Sequence, residues 1–218
     1  MGRPLVDRLA KVDDVIATYH AHPPASGPAN VTWHALDVRD SASVDAFVAE
    51  VRARLTRVTV VNLAAVSTDA LAVRMTADAW DDVMAVNLRG AFVVTRALLP
   101  VMIREQWGRI VTVSSVVTRL GVAGTSAYAA SKAGVVGFTR TLATEYARFN
   151  VTANCLMLGY FDTGLIDRVP ERERAALLER IPLRRLGDVD DIARAVSYLI
   201  DAGYVTGTTL EITGGLTA

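Results

Sequence analysis

The run VTVVNLA (58–64) is β-branched along most of its length and shows no alternation of polar and apolar residues. A strand of this kind has no face to give to water. It belongs in a sheet covered on both sides, and such sheets are parallel, with helices on each face. That requirement constrains the rest of the chain, which must supply crossover helices between strands.

The chain meets it. VIATY (15–19), VTWHALDV (31–38), RIVTVSS (109–115), TANCLML (152–158) and TTLEIT (208–213) read as further strands. Between them lie helical patterns. Leu5, Leu9 and Val12 are at helical spacing, as are Val44, Phe47, Val48 and Val51. Residues 77–105 carry Trp80, Val83, Met84 and Leu88 along one stripe, and further helices are expected over Tyr128–Phe149, 161–182 and 188–200. Strand–helix alternation predicts an α/β fold, a Rossmann-like doubly wound parallel sheet in three layers. With no repeat and no linker beyond the loop HPPASGPAN (22–30), one domain spanning 1–218 is expected. Ligands of such sheets bind beyond the carboxyl ends of the strands, so Asp37, Asn62, Ser115 and residues 158–163 are placed there.

Composition narrows the partners. Twenty-three basic and twenty-three acidic residues cancel, which gives no basic excess for nucleic acid or an anionic membrane. Residues 1–10 hold Arg3, Asp7 and Arg8 without an apolar run, and no stretch of about 18 uninterrupted apolar residues exists. The single cysteine, Cys155, precludes an intrachain disulfide and a Cys-based zinc site, and fits a reducing cytoplasm. It reads as a small buried hydrophobe.

The chemistry concentrates in YAASK, Tyr128 to Lys132. Positions i and i+4 share a helix face. A tyrosine hydroxyl has a reference pKa of ~10, and a nearby ammonium favours the phenolate, so the pair can move a proton. Taken alone, this spacing also describes a solvated lysine beside a surface tyrosine. Ser115 ends a strand upstream and can donate a hydrogen bond to a carbonyl oxygen. Asn87, with Gly90 close behind, is a costly insertion in an apolar helix; it reads as a kink, a water site or a solvent-facing residue.

Asn87, Ser115, Tyr128 and Lys132 resemble, in order and spacing, the catalytic tetrad of the short-chain dehydrogenase/reductase family. The surrounding text agrees: NLAA (62–65) is similar to NNAG, VNLRGAF (86–92) to VNLxGxF, LGYFDT (158–163) to PGxxxT, and YVTGTTLEITGG (204–215) to YxTGxxxxxxGG. The resemblance runs from Gly2 to Gly215 and is nearest to 3-oxoacyl-thioester reductases. It implies that Tyr128 exchanges a proton with the substrate oxygen while Ser115 orients that oxygen. Lys132 would lower the tyrosine's pKa and hold the nicotinamide ribose, and Asn87 would hold a water behind it. Asp37 and Val38 are implied beside the adenine, Asn62 and Ala64 beside its ribose, and Phe161 and Thr163 at the carboxamide. A carbonyl or secondary-alcohol substrate is implied, as is a homodimer or homotetramer formed through the helices at 77–105 and 128–149.

Three departures qualify the resemblance. The family's first strand and most of its glycine loop have no counterpart, RPLVDRLA resembling the helix that follows them; the chain is therefore expected to begin about a dozen residues late. That strand is central in the order 3-2-1-4-5-6-7, so two strand edges are expected to lack a partner. Leu63, Ala65 and Leu158 replace asparagine, glycine and proline in their motifs. After VIATY come His20, Ala21 and His22 with no aspartate for an NAD ribose, which leans towards NADP. Two alternatives follow: a non-redox enzyme (enolisation, dehydration or cyclisation) that binds no dinucleotide, or a non-catalytic partner of an intact homologue. His34 reads as structural, and the apolar residues of 161–182 (Leu165, Ile166, Val169, Leu177, Leu178) as a mobile substrate lobe.

Overall fold

The computed structural model describes residues 1–163 and 171–218, with side chains from Arg174 onward in the second stretch. Helix α1 (Gly2–Leu9) precedes strands β1 (Val15–Tyr19) and β2 (Val31–Ala35). Next come α2 (Ser41–Val51), β3 (Thr59–Asn62), α3 (Ala77–Met84), α4 (Gly90–Glu105), β4 (Gly108–Ser115) and the short α5 (Val117–Leu120). The long α6 (Ser126–Tyr146), β5 (Val151–Leu158), α7 (Glu171–Arg180), α8 (Val189–Asp201) and β6 (Thr209–Ile212) complete it. Local chemistry sets the helix starts. Asp40 accepts from Ala42 N at α2, Thr76 from Ala79 N at α3, and Asp188 and Asp191 form a reciprocal cap at α8.

All pairings are parallel. β3, β4, β5 and β6 form one ladder, and β1 and β2 a second. Among the described residues β1 and β3 each keep one edge without a strand partner, and the two sheets do not pair with each other. Both still point the same way. Arg39, just after β2, pairs with Asp82, and its carbonyl accepts from Arg89, in the segment that follows the carboxyl end of β3.

Strands β3, β4 and β5 feed two cores, while β6 joins only the second. Ile110, Val60 and Ala153 pack with Val44, Leu98, Met102 and Leu142 from α2, α4 and α6. Val111, Val113 and Leu156 pack with Leu5, Ile192 and Val196 from α1 and α8. Helices on both faces therefore explain why β4 and β5 show no alternation.

Several expectations change. Val12 lies beyond α1 and is exposed, because the helix stops at Leu9. Residues 77–105 are three pieces: α3, a π-helical turn at Ala85–Arg89, and α4. Taken together, Ala77–Glu105 is long and apolar enough to cross a bilayer, but 56% of its apolar window is buried within the fold, as expected of a helix that covers a sheet. Leu165, Ile166 and Val169 lie outside the described residues, so the expected lobe is described only from α7 onward.

Candidate active site

Parallel register brings strand ends to one rim. Ser115 closes β4 opposite Leu158 of β5, and Asn62 closes β3 opposite Thr112. A cavity of about 2060 Å³ opens there. Ser115, Tyr128 and Lys132 line it, as do Val38, Asn62, Ala64, Phe161 and Thr163.

The first turns of α6 present Tyr128 to this cavity, while Ser131 and Lys132 on the adjoining face are buried. Ser115, at the end of β4, and Tyr128 line the same stretch of cavity. Burial dominates the phenol and pushes its pKa above the usual value, with Ser115 opposing and the Asp69 carboxylate adding to the rise. Lys132 is 3% exposed and donates to Val113 O at 2.8 Å. Burial lowers its pKa to about 8, against an upward pull from Cys155. Burial thus moves the two groups in opposite directions, the phenol up and the ammonium down. The ammonium lies 5.7 Å from the phenol ring centre and gives one of its three donors to a backbone carbonyl. The picture of a solvated lysine fails.

Asn87 is 2% exposed and sits in the π-helical turn. Its amide accepts from Val66 N at 2.8 Å and donates to Val66 O at 2.9 Å and Ser131 Oγ at 3.0 Å. Ser131 donates onward to Tyr128 O at 2.7 Å. Asn87 is thus a buried tie between three segments, not a surface residue. Ser131 escaped the sequence reading, although its i+3 position from Tyr128 puts it on the buried face.

The remaining positions divide. Asn62 turns its amide to Thr95 Oγ1 at 3.0 Å, a partner the sequence did not suggest. Asp37 lies just beyond β2. Its carboxylate accepts from Arg39 Nε, Nη2 and backbone N–H and stands 3.5 Å from His20, and the Arg39 bonds hold its pKa at about 2. Phe161 is buried, packs its ring over Gly187 and bridges to it, and accepts from Thr163 N at 2.8 Å. His34 pairs with Glu50 at 3.2 Å and meets Phe47 edge-on, away from the rim. Among the described residues no group of three or more His, Cys, Asp or Glu side chains is placed to hold a metal.

A family model described as enoyl-(acyl carrier protein) reductase matches residues 11–217. The chain belongs to the short-chain dehydrogenase/reductase family. It is 44% identical over 183 residues to nodulation protein G of Azospirillum brasilense, covering 83% of this chain and 74% of that protein. It is 41% identical over 192 residues to the 3-oxoacyl-[acyl-carrier-protein] reductase FabG of Thermotoga maritima, covering 87% and 78%. Against FabG of Pseudomonas aeruginosa the identity is 42% over 184 residues, covering 83% and 74%. Membership makes the chain an oxidoreductase enzyme with a Rossmann-like α/β fold.

Proposed function

We propose that this enzyme interconverts a carbonyl and a secondary alcohol with a nicotinamide dinucleotide, and that a 3-oxoacyl thioester is the substrate class to test first. The substrate class rests on the activity for which the FabG relatives are named. The observation that carries the chemistry is the convergence of Ser115, at the end of β4, with Tyr128 and Lys132 of α6 on the wall of one cavity.

The residues present suit a dinucleotide. Met1, Gly2 and Arg3 line the cavity at the start of α1, whose N-terminus has no side-chain cap, so its free N–H groups and positive dipole end suit a pyrophosphate. Val38 and Asp37 would flank the adenine, Asn62 and Ala64 its ribose, Lys132 and Tyr128 the nicotinamide ribose, and Phe161 and Thr163 the carboxamide. Arg39 brings a guanidinium to the rim after β2 and already pairs with Asp37, leaving no free carboxylate there for an NAD ribose. That favours NADP over NAD. When bound, the nicotinamide supplies or accepts the hydride.

The chain's own groups do the rest. Ser115 donates a hydrogen bond that orients the substrate oxygen. Tyr128, kept protonated by burial, gives its proton to that oxygen in reduction and takes it back in oxidation. Asn87 and Ser131 fix the turn that carries Tyr128. The chain acts as one domain and as a homodimer or homotetramer. The face offered by α4 and α6 supports this, since Phe92 is 46% exposed and meets Phe138 edge-on at 6.2 Å. The buried thiol of Cys155 suits a reducing cytoplasm.

The test is oxidation of NADPH, then of NADH, by the purified chain with acetoacetyl-coenzyme A. Tyr128→Phe should lower the rate about 10²-fold or more. If the folded chain binds neither dinucleotide, the redox reading fails, and isotope exchange into the thioester's α-position would point to proton transfer alone.

A further inference from the structure

The loop that follows β3 brings a carboxylate to the catalytic cavity, and the chemistry above does not use it. Asp69 and Ser67 of this loop line the cavity together with Ser115 and Tyr128. Two anchors hold the loop, one on each side of Asp69. Val66 exchanges two hydrogen bonds with the Asn87 amide, the same amide that donates to Ser131 of α6. Ala70 N donates to Gly124 O at 2.9 Å, in the loop that leads into α6. Positions 66 and 70 are thus tied to the segments that carry Tyr128, and Asp69 is held between them. Ser67 Oγ donates to Asp69 Oδ1 at 2.7 Å and orients the carboxylate. Among the described residues no arginine, lysine or histidine pairs with it.

A carboxylate without a cation opposes any second negative charge placed beside the phenol. It already adds to the cost of removing the Tyr128 proton. The other charged and titratable groups are placed differently. Lys132 gives a donor to Val113 O, with the Cys155 thiol near it. Arg119 of α5 turns to Glu211, and Arg180 lines the cavity from α7. A carbonyl that takes its proton from Tyr128 must sit beside that hydroxyl. In a 3-oxo acid the carboxyl carbon is two bonds from the reacting carbon, so a free carboxylate meets the same repulsion as a phenolate. An ester or thioester in that place carries no charge. At physiological ionic strength the field of one charge reaches on the order of 8 Å, which covers the acyl group but not distant phosphates of its carrier.

We infer that Asp69 is a specificity-determining residue that selects substrates by charge: it admits neutral 3-oxo compounds, esters and thioesters among them, and disfavours free 3-oxo carboxylates. The inference rests on the carbonyl–alcohol reading above, since it places the substrate oxygen at Tyr128.

The test compares the parent chain with Asp69→Asn, which keeps an acceptor for Ser67 and removes the charge. Tyrosine labelled with carbon-13 at Cζ gives a Tyr128 resonance, assigned with Tyr128→Phe. Acetoacetate and ethyl acetoacetate are titrated against it near neutral pH. The parent should bind the ester more tightly than the acid, and Asp69→Asn should shrink the ratio of the two dissociation constants about fivefold, the size of one part-exposed charge contact. The ratio of kcat/KM for reduction of the two compounds should change by a similar factor. Ser67→Ala keeps the charge and should keep the parent's ratio. The Tyr128 phenol should also titrate at lower pH in Asp69→Asn than in the parent. Failure of the ester to bind, an unchanged ratio, an equal change in Ser67→Ala, or an unmoved Tyr128 titration overturns the inference. Binding ratios that shift as expected in a chain that reduces neither compound would strike the redox reading alone.

Discussion

Lys132→Met removes a buried ammonium whose pKa lies at about 8 in the fold, against an ordinary value of 10.5. The gap corresponds to about 3 kcal/mol of differential proton affinity. The folded chain gives up this proton first, so between pH 8 and 10.5 the unfolded chain binds more protons, and stability from this group rises with pH. Below pH 8 both states are protonated and the full burial cost persists. From pH 7 to 9.5 the expected gain is about 2 kcal/mol. The nearby Cys155 thiol is pushed up by burial and works in the opposite sense over the same range, so both proteins should carry Cys155→Ala. Urea unfolding at half-unit pH steps then gives two curves. Their difference should change by about 2 kcal/mol between pH 7 and 9.5, with Lys132 the steeper. Parallel curves would refute the burial argument, because they would mean that Lys132 is solvated in the folded chain.

Other outcomes follow from single contacts. A Cβ at Gly187 would lie 2.5 Å from Phe161 Cε1; Gly187→Ala should cost about 1–3 kcal/mol in chemical denaturation, and Phe161→Leu should restore part of it. Asn87→Ala removes three hydrogen bonds from a buried site; about 2–4 kcal/mol should be lost, read as a fall in melting temperature of about 4–16 °C for a chain of this size. Gly90→Ala would place a methyl 2.7 Å from Val38 Cγ2; the variant should be destabilised, and Val38→Ala in the same chain should relieve it. Tyr128→Phe should leave the urea midpoint within about 0.5 kcal/mol of the parent if its hydroxyl serves chemistry rather than the fold.

How far the sequence reached depended on the distance over which each cause acts. The strand at 58–64 and the two-sided burial of β4 and β5 were legible because composition within a few residues decides them. The Tyr128–Lys132 face was legible because helix geometry relates them directly. Asn87 was visible only as an oddity, since its partners are 21 and 44 positions away and no local rule names them. The pairing of Asn62 with Thr95 spans 33 positions and was missed for the same reason.

The burial of the proton-transfer pair was not legible for a different cause. Pair spacing suggests that an ammonium draws down a phenol's pKa, but spacing says nothing of solvent. The fold buries Lys132, gives its ammonium the Val113 carbonyl, and half-buries the phenol beside Asp69. Desolvation is the largest cause acting on each group. A phenol held protonated is the form that can donate to a carbonyl oxygen, so the raised pKa suits reduction. In the reverse direction the same group must first lose its proton, and Ser115, the neighbour that pulls its pKa down, is already in place.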